Sequence, residues 1–302
     1  MPEVVKAVIR SGTSYIDFDS KFPDDKCCMG HLIDIRLGAR KICDNCGEFL
    51  KFAKKKVRFQ YTSNCCSYLT VFPLAGTMFF RTWLPMTIWF RAILYFTNAA
   101  TGVGPDFLCR QLGISRGAAK RMCSRIRLHL TSVDEAICLG SNGNSIYVSE
   151  TTMKGISRES GKCGARFRIM TATDGIEFLI VPIATGEFWK SRNRLVDRLV
   201  PNVPIILKSK SLRDKILRRK AVGTFRGHEI HVTDDPYRNE FNTLSVCEIA
   251  LKRFILGAHH RVSEKHLNEY IGHFAFLYRR RHRGEEAFWE AISHFPAFLS
   301  SR

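Results

Sequence analysis

The segment that decides the fold is NTLSVCEIALKRFILG, residues 242–257. Four apolar residues recur in it at the spacing of one helical face, which predicts a buried stripe on a helix beginning at Asn242: Leu244, Cys247, Leu251 and Phe254. Ser245, Glu248 and Lys252 share a second face of the same helix. We expect the helix to end at Gly257, because glycine is the residue that most often ends a helix.

Before this helix the hydrophobic pattern changes to that of strands. Strands are predicted at 145–152, 166–173, 178–183, 204–208 and 228–233, and a helix is predicted at about 187–199. Asp174-Gly175 is typical of a tight hairpin turn between the second and third strands. The order β-β-β-α-β-β-α predicts an α/β sheet, and strand count alone leaves several such folds open.

The segment from residue 242 to residue 281 resembles the C-terminal part of Merlin-type DDE transposases and their bacterial insertion-sequence relatives. In that family an Asn-Thr-Ile-Glu sequence opens the helix, and Lys-Arg and His-x-Val-Ser-x-x-His-Leu follow; here the last motif reads HRVSEKHL, residues 260–267. The resemblance extends over about residues 43–295. It implies an RNase H-like core, a mixed sheet flanked by helices, preceded by a zinc-ribbon-like segment and a helical helix-turn-helix region.

The resemblance also locates the catalytic positions of the family. In its active members three carboxylates hold two divalent metal ions, because Mg²⁺ prefers oxygen ligands that carry charge. The matching positions here are Ser149, Ser209 and Ser245. The resemblance therefore implies a scaffold that has lost cleavage, so we expect no catalytic Mg²⁺ and no enzyme activity.

Three nearby acids leave an alternative open, in which the active site has been rebuilt from Glu150, Asp214 and Glu248. Glu248 lies one helical turn beyond Ser245 and can reach toward the same site. Glu150 follows Ser149 on a strand, where successive side chains point to opposite faces, so we expect it to face away. The simpler interpretation is that these acids balance the charge of a basic protein.

Cysteines crowd together in the N-terminal quarter of the chain. The knuckle Cys43-x-x-Cys46-Gly47 predicts a structural Zn²⁺ site, because two thiolates at that spacing can bind one tetrahedral ion. Cys65 and Cys66 are the expected partners, and the remaining candidates for a fourth ligand are Cys27, Cys28 and His31. The competing interpretation is a chance CxxC among buried free cysteines. The family carries a second cysteine pair after an aromatic-Arg dipeptide, whereas this chain reads Val57-Arg58-Phe59.

The formal net charge of +19 and the pI near 9.7 predict a polyanionic partner. Double-stranded DNA is the first choice, and an anionic membrane surface is the alternative. Gly113 and Ser115 predict the turn and the cap of a helix-turn-helix at about residues 106–121, for which the competing interpretation is an ordinary helical hairpin. The residues expected to contact DNA are Lys54, Lys55, Lys56, Arg58, Arg116, Lys120, Arg121, Lys252, Arg253, His259, His260, Arg261 and Lys265, and the arginines 279–281 and 283 are expected to extend this basic surface.

The chain carries no export pattern, and its most apolar run, 83–96, is short and is interrupted by Arg91. Eleven cysteines then predict thiols or metal ligands in a reducing compartment, and the charge predicts the nucleus. The predicted organisation is an N-terminal segment (1–26), a zinc-ribbon-like segment (27–75), a helix-turn-helix region (76–140) and a degenerate RNase H-like domain (141–302).

The resulting hypothesis is a catalytically inactive, transposase-derived protein that binds double-stranded DNA and acts in chromatin, transcription or genome regulation. One alternative is an active metal-dependent nuclease that uses the relocated acids. Another is an interaction scaffold with a vestigial DNA surface, whose partners are chromatin or transcription proteins. The resemblance also implies a homodimer, and no membrane partner is expected.

Overall fold

The computed structural model describes residues 13–38, 41–55, 59–66, 69–134, 137–156, 163–183, 188–208, 224–225, 227–233, 238–259, 262 and 266–297. In chain order the elements are α1 (Tyr15–Lys21), α2 (Asp25–Leu37), β1 (Phe52–Lys54), β2 (Tyr61–Ser63), β3 (Thr70–Val71), α3 (Met86–Asn98), α4 (Pro105–Leu112), α5 (Arg116–Val133), β4 (Ile146–Ile156), β5 (Cys163–Thr173), β6 (Phe178–Ile183), α6 (Phe188–Val196), β7 (Ile205–Leu207), β8 (Thr224–Phe225), β9 (His228–Val232), α7 (Asn239–His259), α8 (Leu267–Arg279) and α9 (Gly284–Ser293).

These elements form two compact units. The first unit takes in residues 1–98, 105–129 and 282–302, and the second takes in residues 99–104 and 130–281. The C-terminal helix α9 is therefore part of the first unit, where it packs against α3 and α2.

The first unit is built on aromatic side chains. Phe22, Phe90 and Phe288 are buried, and the rings of Phe22 and Phe90 meet edge to face with centroids 5.0 Å apart. Such pairs stabilise a core beyond the area that they bury. A three-stranded antiparallel sheet, in the order β1-β2-β3, belongs to the same unit.

The second unit is an α/β domain with a mixed sheet. Its six strands run in the order β6-β5-β4-β7-β9-β8, with antiparallel pairs β6-β5, β5-β4 and β9-β8 and parallel pairs β4-β7 and β7-β9. α7 packs against β4 and β5, whereas α6 and α8 pack against β6. The predicted α/β class, with a mixed sheet flanked by helices, is confirmed.

The two faces of the sheet differ in composition. One face carries a hydrophobic core that includes Val148, Met170 and Leu179. The opposite face carries Tyr147 and Ser149, because successive residues of a strand point in opposite directions. The ring of Tyr147 meets that of Phe241 in α7 at 5.5 Å, so α7 covers this second face.

Most predicted strands match the structure, and 178–183 matches at both ends. The hairpin after β5 also forms as predicted: Gly175 has a φ of +94°, which glycine adopts without strain. The carboxylate of Asp174 accepts hydrogen bonds from the backbone N–H groups of Ile176 and Glu177 and so fixes the turn.

The predicted bounds of the fold-determining helix were wrong at both ends. α7 begins at Asn239 and continues through Gly257 to His259. A glycine ends a helix only when it turns to positive φ, and Gly257 does not. The cost of a helical glycine is about 1 kcal/mol, which the buried side chains of Phe254 and Ile255 in the preceding turn can offset.

The arginines expected to extend the basic surface include two whose side chains are largely withdrawn from solvent. Arg279 and Arg280 lie at the end of α8 and both bond the carboxylate of Asp134, at 2.6 Å and 3.0 Å. Arg279 also donates to the carbonyl oxygen of Phe178 in β6. The expectation for these two residues was wrong: they neutralise an acid inside the second unit, because a buried carboxylate needs a cationic partner.

Candidate functional site

The second unit gathers five polar side chains on the sheet face that α7 covers. Ser149 of β4 and Thr171 of β5 are direct cross-strand partners, so their side chains lie on the same face. Both are buried. Thr171 Oγ1 donates a hydrogen bond of 2.8 Å to Glu248 Oε1 of α7. Ser149 thus lies beside the contact between the sheet and the helix.

Lys208 follows strand β7 and brings a positive charge to the same place. Its backbone N–H donates to the carbonyl oxygen of Val148, which holds it next to Ser149. Its Nζ donates to Ser245 Oγ at 3.3 Å, while Ser245 Oγ in turn donates to the carbonyl oxygen of Phe241. The ammonium is therefore held over α7 by the residue that the family resemblance aligns with a catalytic acid.

We call Ser149, Thr171, Lys208, Ser245 and Glu248 the polar cluster. Among the residues that the structure describes, this cluster holds one carboxylate, three hydroxyl groups and one ammonium. Two Mg²⁺ ions require several charged oxygen ligands, and a neighbouring ammonium repels them. The donor set therefore does not fit a two-metal centre. Ser209, the remaining aligned position, lies outside the described residues.

The acids of the rebuilt-site alternative do not all meet at the polar cluster. Glu248 belongs to it, but Glu150 points to the opposite face of the sheet, as expected from its place beside Ser149. There Glu150 pairs with Arg168 at 3.4 Å. Asp214 lies outside the described residues.

The first unit contains a cluster of cysteine thiols. The Sγ atoms of Cys43, Cys46 and Cys65 all lie within 4.8 Å of one another, and Cys66 Sγ lies 3.8 Å from Cys43 Sγ. The knuckle forms because Gly47 takes a φ of +70° and donates its N–H to the carbonyl oxygen of Cys43.

This cysteine cluster fits a structural zinc ion. Four sulfurs at about 2.3 Å from a tetrahedral Zn²⁺ stand about 3.8 Å apart, which is the Cys43–Cys66 separation. Hydrogen bonds with the thiols of Cys46 and Cys43 raise the pKa of the Cys66 thiol to about 12. A bound dication reverses that preference, because it stabilises thiolates. Cys43, Cys46, Cys65 and Cys66 would hold the ion and tie the knuckle to the loop after β2.

The other candidate ligands do not join this cluster. Cys27, Cys28 and His31 lie on α2, and in the described part of the chain no group of three ligands includes them. The imidazole of His31 packs against the rings of Phe22, Phe90 and Trp289. Burial lowers the pKa of His31. His31 is thus a partly buried histidine that packs among aromatic rings of the first unit.

The helical hairpin of α4 and α5 forms as predicted. Gly113 takes a φ of +64° at the turn, and Ser115 Oγ accepts a hydrogen bond from the N–H of Ala118. Lys120 and Arg121 are exposed on α5. Arg116 is exposed too and pairs with Asp106 of α4 at 3.0 Å, so its guanidinium is aligned beside the turn.

The remaining residues predicted to contact DNA differ in exposure, and several lie outside the described residues. Lys54, Lys55 and Arg253 are exposed, and Lys252 is half-buried on α7. His259 is the last residue of α7. Lys56, Arg58, His260, Arg261 and Lys265 lie outside the described residues.

The sequence reasoning missed two residues of the polar cluster, Lys208 and Thr171. A signal for Lys208 was present, because it follows an apolar strand immediately before the position where the family carries an acid. Thr171 gave no separate signal, because threonine is common in strands.

Among the helices that the structure describes, none has both the length and the apolar character needed to cross a lipid bilayer. Comparison of the chain with models of protein families, with curated protein sequences and with solved structures returns no match.

Proposed function

We propose that this chain is a DNA-binding protein built on an RNase H-like core whose strand-cutting site has been lost. Its proposed target is double-stranded DNA, and its proposed origin is a Merlin-like transposase. The mixed sheet with α7 across one face is compatible with that core. The element order β-β-β-α-β-β-α, predicted from the sequence, describes the main strands and helices of the second unit.

The observation that carries the proposal is the composition of the polar cluster. The resemblance aligns Ser149 on β4 and Ser245 on α7 with carboxylates of the family, and the ammonium of Lys208 reaches Ser245. Phosphodiester cleavage with two divalent ions depends on acids that hold those ions. Hydroxyl groups and an internal cation are a poor replacement, so we infer binding without cleavage.

The charge of the chain supports DNA as the partner. A net charge of +19 favours binding to phosphates and makes that binding sensitive to salt. The exposed basic side chains of α5 follow a turn that matches a helix-turn-helix, in which the second helix enters the major groove. The cysteine cluster, with zinc bound, would stabilise a second basic element that carries Lys54 and Lys55.

A nuclear role in chromatin, transcription or genome regulation is part of this proposal, because the proposed partner is duplex DNA. Association into a homodimer also belongs to it, since the transposases that the sequence resembles assemble on paired DNA ends. An interaction scaffold for chromatin or transcription proteins is the competing function, and it predicts that the basic residues of α5 are dispensable.

The test is one binding reaction examined on two gels. Purified protein is mixed with labelled duplex DNA and Mn²⁺ and is run on a native gel across a salt series and on a denaturing gel. We expect a shift that weakens steeply with salt and strands that stay intact. Reversing Arg116, Lys120 and Arg121 to Glu should reduce the slope of log affinity against log salt by about 1 for each phosphate that the variant no longer neutralises.

The matched control is Arg91→Glu, compared with Arg116→Glu. Both arginines are exposed and each pairs with one aspartate, Asp19 and Asp106 respectively, but only Arg116 lies on α5. Equal reductions in affinity in the two variants would indicate a general charge effect and not a DNA surface. Cut strands that disappear with a chelator would mean an active nuclease, and no shift at all would favour the scaffold.

A further inference from the structure

The first unit contains a groove between helix α2 and the sheet of β1 and β2. Its cavity has a volume of about 640 Å³, and its lining comes from α2, from β1 and from the residues around the start of β2. A cavity of this size is within the range of small-molecule sites in proteins. The cysteine cluster lies outside the lining, so the groove is a separate feature of the unit.

Aromatic side chains form one wall of the groove. Phe52, Phe59 and Tyr61 line it, and each is only partly buried. Phe59 has a φ of +55°, a conformation that a bulky residue rarely adopts. Such strain persists where the surroundings impose it, and it concentrates at functional positions. The backbone of Phe59 itself is thus held in an unfavourable conformation beside the groove.

The wall formed by α2 leaves space for an occupant. Gly30 lines the groove, and a Cβ added to it would meet no atom within 4 Å. Glycine within a helix costs about 1 kcal/mol relative to alanine, so the missing side chain is not a gain in helix stability. Its effect is to leave the α2 side of the groove open at Gly30.

Both acidic and basic side chains line the groove. Asp25, Lys26 and Asp34 come from α2, and Lys54 comes from β1. The carboxylate of Asp25 is fixed by two hydrogen bonds of 3.0 Å from the N–H and the hydroxyl of Thr87. Asp25 and Tyr61 both line the groove. Burial, with a smaller contribution from the Asp25 carboxylate, raises the pKa of the Tyr61 hydroxyl.

We propose that this groove binds one unpaired nucleotide of a DNA strand. The base lies against Phe52, Phe59 and Tyr61, because stacking on aromatic rings is how proteins hold unpaired bases of any sequence. Lys26 and Lys54 contact the phosphate, and the carboxylates of Asp25 and Asp34 accept from amino groups on the base edge. This inference rests on the proposed DNA-binding function and extends it from duplex DNA to a junction with an unpaired end.

The charges decide against the main rival occupant. Aromatic walls with carboxylates also suit a methylated ammonium. Two lysines line the groove and balance its two carboxylates, so the groove has no net negative charge to hold such a cation, while the lysines can contact a phosphate. A nucleotide can contact the aromatic rings, the lysines and the carboxylates at once. A methylated ammonium can contact the rings and the carboxylates, but the lysines repel it.

The experiment compares two duplexes, one blunt and one with a single-stranded overhang that carries 2-aminopurine. We expect the full-length protein to bind the overhang duplex about tenfold more tightly and to quench the 2-aminopurine fluorescence, which reports stacking. Phe52→Ala and Tyr61→Ala should each weaken overhang binding by about fivefold or more and leave blunt-duplex binding unchanged. Gly30→Leu fills the groove without removing an aromatic residue and should abolish the quenching.

Phe49→Ala is the matched control, because Phe49 is an exposed aromatic residue of the same region that does not line the groove. It should change both affinities by less than about twofold. If the protein binds both duplexes equally without quenching, the groove proposal is wrong while the DNA-binding proposal stands. Binding to neither duplex overturns both proposals. If the groove binds a trimethyllysine peptide and not the overhang, its occupant is a methylated ammonium and the nucleotide proposal is wrong.

Discussion

The cysteine cluster and the polar cluster, both in the described part of the chain, differ in the metal ligands that they offer. The cysteine cluster of the first unit brings Cys43, Cys46 and Cys65 within 4.8 Å of one another, with Cys66 beside Cys43. The polar cluster of the second unit has one carboxylate, from Glu248, and an ammonium that bonds Ser245. The cysteine cluster therefore offers four sulfur ligands, whereas the polar cluster offers a single carboxylate.

This difference in ligands corresponds to the difference between a structural metal site and a catalytic one. Four thiolates around zinc form a closed site that contributes folding free energy. A two-metal centre contributes catalysis and must hold charged oxygens close together against their own repulsion. A protein can therefore depend on the first kind of site for its fold and keep that fold without the second. Four experiments test this contrast.

The largest effect is expected at the cysteine cluster. Cys46→Ser removes one of the four proposed ligands, so the variant should bind no zinc and should lose the cooperative unfolding of the knuckle region. Zinc binding contributes about 10 kcal/mol or more in small zinc domains. Metal content by mass spectrometry and limited proteolysis provide the measurements. Cys27→Ser is the control, since Cys27 lies on α2 outside the cluster, and equal zinc loss in that variant would contradict the assignment.

The next effect concerns the ammonium in the polar cluster. Ser149→Asp with Ser245→Glu supplies two acids, but we expect Mn²⁺ to bind about a hundredfold more tightly when Lys208→Ser is added. An ammonium at about 4 Å opposes a dication by several kcal/mol at an effective dielectric constant of about 20. Isothermal titration calorimetry compares the double and triple variants. Equal Mn²⁺ affinity would mean that Lys208 does not occupy the position of the metal.

Acid should weaken the first unit through a histidine, in addition to protonating the thiolates of the proposed zinc site. Burial lowers the pKa of His129 to about 4, and its Nε2 lies 2.7 Å from the carbonyl oxygen of Ala291. The unfolded chain therefore binds more protons below about pH 6.5, so stability is highest above that pH and falls as pH approaches about 4. Between about pH 7.5 and pH 5 the loss should be about 2 kcal/mol.

Urea unfolding of the protein and of His129→Gln at both pH values tests this loss. The glutamine amide can still donate to Ala291 but does not titrate, so its stability should depend less on pH. The contribution of the thiolates is common to both proteins and cancels in the difference. A variant as acid-sensitive as the original protein would show that His129 contributes nothing to the loss.

The smallest effect distinguishes the two glutamates that neighbour the aligned serines. Glu248→Ala leaves the buried hydroxyl of Thr171 without its acceptor, and we expect a loss of about 1–2 kcal/mol in the free energy of unfolding. Glu150→Ala removes a pair with Arg168, whose side chain is 39% exposed, and should cost less than about 1 kcal/mol. Denaturant titrations of both variants measure the difference. A larger cost at Glu150 would reverse the assignment of Glu248 as the glutamate that joins helix and sheet.

Local patterns predicted the elements of the second unit well. The alternation in β4, β5 and β6 and the Asp174-Gly175 turn depend on neighbours in sequence, which a sequence contains directly. The same holds for the hairpin of α4 and α5, where Gly113 and Ser115 act on the adjoining backbone. The end of α7 was mispredicted because the packing of Phe254 and Ile255, and not the local preference of Gly257, decides it.

Residues whose role depends on distant partners were the ones misjudged. Arg279 and Arg280 lie at the end of α8 in a basic stretch of sequence. No neighbouring residue indicates that they will pair with the distant carboxylate of Asp134. Cys27 and His31 lie within the cysteine-rich region, yet the helix that carries them keeps them out of the thiol cluster. In each case the neighbour that matters is far away along the chain.

The amino-acid sequence was sufficient for the α/β order, the basic charge, the Cys43-x-x-Cys46 knuckle and the serines at the aligned positions. Three further features became visible only in the folded chain: Cys66 meets Cys43, Lys208 reaches Ser245, and a groove opens opposite Gly30. The physical reason is that backbone preferences act over a few residues, whereas a site forms where side chains from separate elements meet. That meeting is set by packing of the whole unit, which short-range patterns do not contain.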